Sequence, residues 1–111
     1  MLSLPPSVSI YLCRQPTDMR RGFDGLAQQI RSLGWPDPTN GSFFVFRNRR
    51  GDRLKILYWD RDGFALWYKC LEKGTFRLPT GDEATVDRQD LILLLEGLDR
   101  RVLRQRPRYK R

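Results

Sequence analysis

Residues 43–69 read FFVFRNRRGDRLKILYWDRDGFALWYK. Three runs rich in aromatic and branched residues, 43–46, 54–59 and 64–69, are separated by Arg49-Arg50-Gly51-Asp52 and by Asp60-Arg61-Asp62-Gly63. Gly and Asp at such short breaks are turn formers, so the pattern predicts an antiparallel meander. Side chains along a strand alternate between faces, which puts Leu54, Ile56 and Tyr58 together on one run and Phe64, Leu66 and Tyr68 together on the next. A helix is expected to cover that face. Leu57, Trp59 and Trp67 are then expected on the opposite face, which is too apolar to be left to water and calls for another element or a partner.

Upstream of the meander, residues 8–13 alternate enough for a short strand, which Pro16 stops. Met19, Phe23, Leu26, Ile30 and Leu33 then recur at helical spacing, with Arg20, Arg21, Asp24, Gln28 and Arg31 on the other face. The helix so predicted is capped by Thr17 or Asp18 and ended by Gly34 ahead of Trp35-Pro36. Gly22 and Gly25 within it each cost about 1 kcal/mol relative to Ala, which suggests that another backbone packs closely there. Downstream, residues 75–77 read as a weak edge strand. Asp87 reads as the N-cap of a second helix with Leu91, Leu94, Leu95 and Leu98 as its stripe, ending near Gly97. The expected fold class is α+β: an antiparallel β-meander sheet of about four to five strands with two amphipathic helices packed on it. A single domain over residues 1–99 is followed by a basic, disordered C-terminal tail over 100–111.

The 111 residues carry 21 Lys and Arg against 13 Asp and Glu, a formal charge of +8, which favours polyanionic partners such as DNA. A hydrophobic share of 40% and an aromatic share of 12% supply one core and argue against wholesale disorder. No run approaches the roughly 18 apolar residues of a membrane span, and residues 1–6 lack the basic and apolar regions of a leader. The expectation is a soluble, cytoplasmic protein without membrane contact. With no His, and with Cys13 and Cys70 far apart, zinc sites and Cys–His or Ser–His nucleophiles are excluded and no cofactor is expected. Both cysteines are expected to be small buried hydrophobes.

Cation clusters are the candidate binding residues. Arg47, Arg49, Arg50, Arg53 and Lys55 oppose the single acid Asp52, a net +4 within nine residues. A β-ribbon tip so charged can straddle a phosphate backbone or enter a groove, although a solvated turn with its arginines paired to carboxylates has the same composition. From residue 99 on, Arg100, Arg101, Arg104, Arg106, Arg108, Lys110 and Arg111 face only Asp99, as in a phosphate-binding arm or a solubilising tail. Arg20 and Arg21 in a helix's first turn oppose the macrodipole, which suggests an anion or a carboxylate partner such as Asp24 or Asp60. Asp52, Asp60, Asp62 and Glu96 raise a two-metal nuclease reading. Asp60 and Asp62 flank a turn where Asp is favoured anyway, and no third carboxylate is tied to them by spacing, so no enzyme is expected.

Two blocks, Thr17-Asp18-Met19-Arg20-Arg21-Gly22-Phe23-Asp24-Gly25-Leu26 and the stretch from Phe44 to Asp60, resemble the TnpB-type accessory proteins of the IS-sixty-six family of bacterial insertion sequences. Leu71-Glu72-Lys73-Gly74-Thr75-Phe76 and Leu94-Leu95-Glu96-Gly97-Leu98-Asp99 extend the resemblance to residues 8–99, and the basic tail goes beyond the family pattern. The resemblance implies a small protein that assists transposition, with strand cutting left to a separate transposase and no catalytic residues to carry over. The expected function is a non-enzymatic accessory role through DNA contact by hairpin and tail. The alternative is an adaptor that docks the transposase of the same element, or a second copy, through a sheet face bearing Trp59 and Trp67.

Overall fold

The computed structural model describes residues 7–96. Its elements run β1 (Ile10–Leu12), α1 (Phe23–Ser32), β2 (Phe43–Arg47), β3 (Arg53–Asp60), β4 (Gly63–Cys70), β5 (Thr85–Val86) and α2 (Arg88–Leu95). They form an α+β fold around one five-stranded sheet of order β4-β3-β2-β1-β5. The meander expected from residues 43–69 is present, with β2–β3 and β3–β4 both antiparallel. The sheet as a whole is mixed, because β1 lies parallel to β2. Parallel neighbours need a crossover of a dozen residues or more, and the stretch containing α1 supplies it.

Both faces of the sheet are covered. On one, Leu26, Ala27 and Ile30 of α1 pack with Phe44, Phe46 and Leu57. On the other, Leu91 and Leu94 of α2 pack with Phe43, Val45, Leu54 and Ile56. This double burial explains why residues 43–46 are apolar without alternation: a strand covered on both sides has no polar face to show.

The face assignment made from the strand runs needs correction. The two-residue turn at Arg61-Asp62 pairs Ile56 with Trp67 and Leu57 with Leu66. Trp67 therefore sits on the α2 face with Ile56, whereas Phe64 and Leu66 join Leu57 under α1. Trp59 pairs with Phe64, so Trp59 and Trp67 lie on opposite faces.

Residues 75–77 are not a strand. Phe76 is instead buried to 1% exposure against the α2-face core, its N–H donating to Gly51 O at 2.7 Å, and the far edge is made by β5. The first helix starts later than expected, at Phe23 with Gly22 as an N-cap that lacks a side-chain bond. Phe23 and Leu33 of its predicted stripe are 47% and 43% exposed, and Ala27 takes the buried position instead. At Gly25 the nearest atoms to an added Cβ belong to the Arg21 side chain, and none lies within 4 Å at Gly22, so no second backbone packs there.

The helix ends foreseen from Gly34 and Asp87 are present. Gly34, at φ 73°, donates to Arg31 O while Trp35 N–H reaches Ile30 O, a Schellman close. Asp87 accepts from Asp90 N–H at 2.8 Å. Cys13 is buried as expected, but Cys70 is exposed, at the end of an edge strand. No helix among the described residues is long and apolar enough to cross a membrane. Leu98, the end of the second helix near Gly97 and the tail lie outside the described residues.

Candidate nucleic-acid interface

The β2–β3 connection is held by its own polar groups. Asn48 N–H donates to Arg53 O, Gly51 N–H donates to Asn48 O, and the Asn48 side chain bonds both Arg53 N–H at 3.0 Å and Asp52 Oδ1 at 2.8 Å. That amide is the main cause holding the Asp52 carboxyl below its ordinary pKa, with Arg50 a weaker contributor. Gly51, at φ 80° and buried, would bring an added Cβ within 3.3 Å of Thr75, so this turn requires glycine for both backbone and space. With Asp52 engaged by Asn48, Arg49 and Arg50 are exposed and make no side-chain hydrogen bond or ion pair among the described residues.

The segment before α1 is brought to the same end of the sheet. Thr17 N–H donates to Arg47 O at 2.9 Å. The buried Lys55 ammonium donates to Met19 O at 2.7 Å and to Arg21 O at 2.8 Å, and lies 4.7 Å from the Tyr68 ring centroid. Arg20 is paired at 2.8 Å with Asp18, whose side chain also accepts Arg20 N–H. These bonds hold the Asp18 carboxyl at a pKa of about 2. Arg21 donates to Gln29 Oε1, and Gln29 in turn donates to the Thr17 hydroxyl. Across a shallow depression of about 330 Å³, Asp18 and Met19 face Arg49, Arg50 and Arg53.

The predicted cations thus separate into two groups. Arg20, Arg21, Arg49, Arg50 and Arg53 are exposed around one end of the sheet, and Arg53 also donates to the Tyr68 hydroxyl at 3.2 Å. Arg47 and Lys55 are drawn into the fold and leave the exposed cluster. The Arg47 guanidinium is half-buried and donates to Phe76 O at 2.7 Å, which fastens the 71–78 segment to β2. Arg100, Arg101, Arg104, Arg106 and Arg108 lie outside the described residues.

The partner proposed for Arg20 is also corrected: it is Asp18, not Asp24 or Asp60. Since α1 begins at Phe23, neither Arg20 nor Arg21 stands in its first turn, and the macrodipole argument lapses. An Asp two residues before an Arg is an Asx-turn signal, and it was the available clue.

Trp59 and Trp67 do not form one surface. Trp59 stands edge-on to Phe64 with centroids 5.1 Å apart, and its indole N–H donates to Arg61 O at 3.1 Å, inside the β3–β4 turn. Trp67 packs partly buried against the α2-face core. Asp52 and Asp60 stand at opposite ends of β3, and among the described residues no three acidic or Cys side chains gather into a metal-holding group.

Fold and site define a small two-faced α+β module whose polar distinction is an arginine rim built from two chain segments. Residues 8–105 match the family described as IS66 Orf2 like protein, and the chain belongs to that family. Two uncharacterized proteins of Sinorhizobium fredii are similar along nearly the whole chain. One, y4jC, is 36% identical over 109 residues, covering 96% of this chain and 93% of its own. The other, y4hO, is 35% identical over 101 residues, covering 89% and 88%. No solved structure matches the chain. Membership makes the protein an accessory protein associated with an insertion sequence.

Proposed function

We propose that this accessory protein assists transposition by binding duplex DNA through the arginine rim, without catalysing a reaction itself. The observation that carries the reading is the meeting of residues 17–19 with the 48–53 turn around one depression, where Arg49 and Arg50 are exposed and make no side-chain hydrogen bond or ion pair among the described residues. Guanidinium groups in water gain by meeting phosphates, because each contact releases condensed counterions. Contacts from such arginines to phosphates fix a protein on the duplex without reading its sequence. The basic tail extends the same chemistry along the duplex.

Fluorescence anisotropy with a labelled duplex tests this. Arg49→Ala with Arg50→Ala should weaken binding at least tenfold while the thermal transition stays in place; unchanged affinity in the folded double variant rejects the rim. The non-catalytic part is tested separately. Duplex incubated with the protein and Mg²⁺ or Mn²⁺ should stay uncut, and metal-dependent cleavage that Asp60→Asn or Asp62→Asn abolishes would overturn it.

A further inference from the structure

Among the described residues the sheet has two unlike edges. β5 is two residues long and leads straight to α2. β4 is eight residues long and pairs with β3 without a bulge, from Arg53↔Cys70 to Asp60↔Gly63. Natural edge strands are blunted by shortness, charges, proline or bulges. β4 has none of these beyond Lys69.

The register identifies its free backbone groups. Antiparallel ladders alternate between pairs that exchange hydrogen bonds and pairs that do not. The tight turn closes on Asp60 and Gly63, and just past the other end Leu71 N–H donates to Asp52 O at 2.8 Å, in the same alternation. Odd-numbered positions of β4 therefore bond β3. Phe64, Leu66, Tyr68 and Cys70 turn their N–H and C=O groups outward.

Charge along this edge is also directional. Asp60, Arg61 and Asp62 give its start a net −1, while Lys69, Glu72 and Lys73 give its end a net +1. Antiparallel pairing of two such edges sets the acidic start of each beside the basic end of the other, whereas parallel pairing stacks like on like.

We propose that the chain self-associates through β4, two copies pairing antiparallel about a two-fold axis at Leu66. The two sheets then continue as one. Phe64 comes opposite the second copy's Tyr68 on the α1 face, an aromatic cross-strand pair, and Ala65 comes opposite the second copy's Trp67 on the α2 face. The contact is isologous and closed, so it stops at a dimer instead of growing into a fibre.

Sedimentation equilibrium of the full chain without DNA is the test. Wild type and Leu66→Ala should both sediment at twice 13.2 kDa. Leu66→Pro loses the same side-chain contacts as the Ala variant, plus the outward N–H, but no bond to β3, so it should sediment as a folded monomer. A monomeric wild type, or a Leu66→Pro variant as dimeric as wild type, overturns the proposal. Should Leu66→Pro fail to fold, Leu66→Cys combined with Cys70→Ser decides the matter. A hydrogen-bonded pair holds Cα atoms about 5.5 Å apart, within disulfide reach. Mild oxidation should then give a covalent dimer, and its absence contradicts the pairing.

Discussion

Lys55 and Arg49 carry the same charge on the same hairpin, yet the Lys55 ammonium is held by two backbone carbonyls while the Arg49 side chain is exposed. Exchange of Lys55 for Met should leave the Met19 and Arg21 carbonyls without their donor and destabilise the protein by roughly 2–3 kcal/mol, measured by denaturant unfolding. Arg49→Ala should cost less than about 0.5 kcal/mol, as at most exposed positions. Equal losses at both sites would contradict the assignment of one to the fold and the other to the rim. Composition alone could not separate them, because a net +4 hairpin does not reveal which stem reaches inward. Strand parity could have: Lys55 shares its face with Leu57, the face that α1 covers. Asp18 is the residue with a pH signature. Its carboxyl pKa is depressed from 3.8 to about 2, first by the Arg20 side-chain bond. The interaction therefore favours the folded state above pH 3.8 and is lost as pH falls through about 2. NMR titration should show Asp18 protonating near the lower value in the wild type, and at a higher pH in Arg20→Ala, where the guanidinium is gone but the backbone N–H bond remains.

At the scale of elements, the antiparallel meander and two helix ends were legible, while β5, the start of α1 and the long-range placements were not. Turn residues announced β2, β3 and β4, and Gly34 and Asp87 announced helix boundaries, because these are local backbone requirements. The parallel placement of β1 and the change of face at Trp67 depend on long-range register, which no local spacing encodes. Phe76 illustrates the cost of that gap: residues 75–77 have strand-like composition but act as an insert on the α2-face core. Phe76→Ala should destabilise by about 3–5 kcal/mol, as for deletion of a large buried aromatic. Asp87→Ala should cost only about 1 kcal/mol, the usual value of an N-cap. Thermal or denaturant unfolding checks both, and a smaller loss at Phe76 than at Asp87 would contradict the described core.

For the whole molecule, the two blocks that carry the family resemblance meet because Lys55 and Thr17 tie the 17–21 stretch to the β2–β3 ribbon. The candidate site was thus half legible. Its arginines stood out as sequence clusters, whereas their convergence, and the withdrawal of Arg47 and Lys55, needed the fold. A protein of this charge binds polyanions loosely whatever its shape, so affinity alone does not test the rim. The decisive measurement is the salt dependence of duplex binding for the wild type and for the Arg49→Ala, Arg50→Ala double variant. If both arginines neutralise phosphates, the slope of log affinity against log salt should become shallower by about 2, since each contact releases roughly 0.9 counterion. A folded double variant with an unchanged slope would contradict the account.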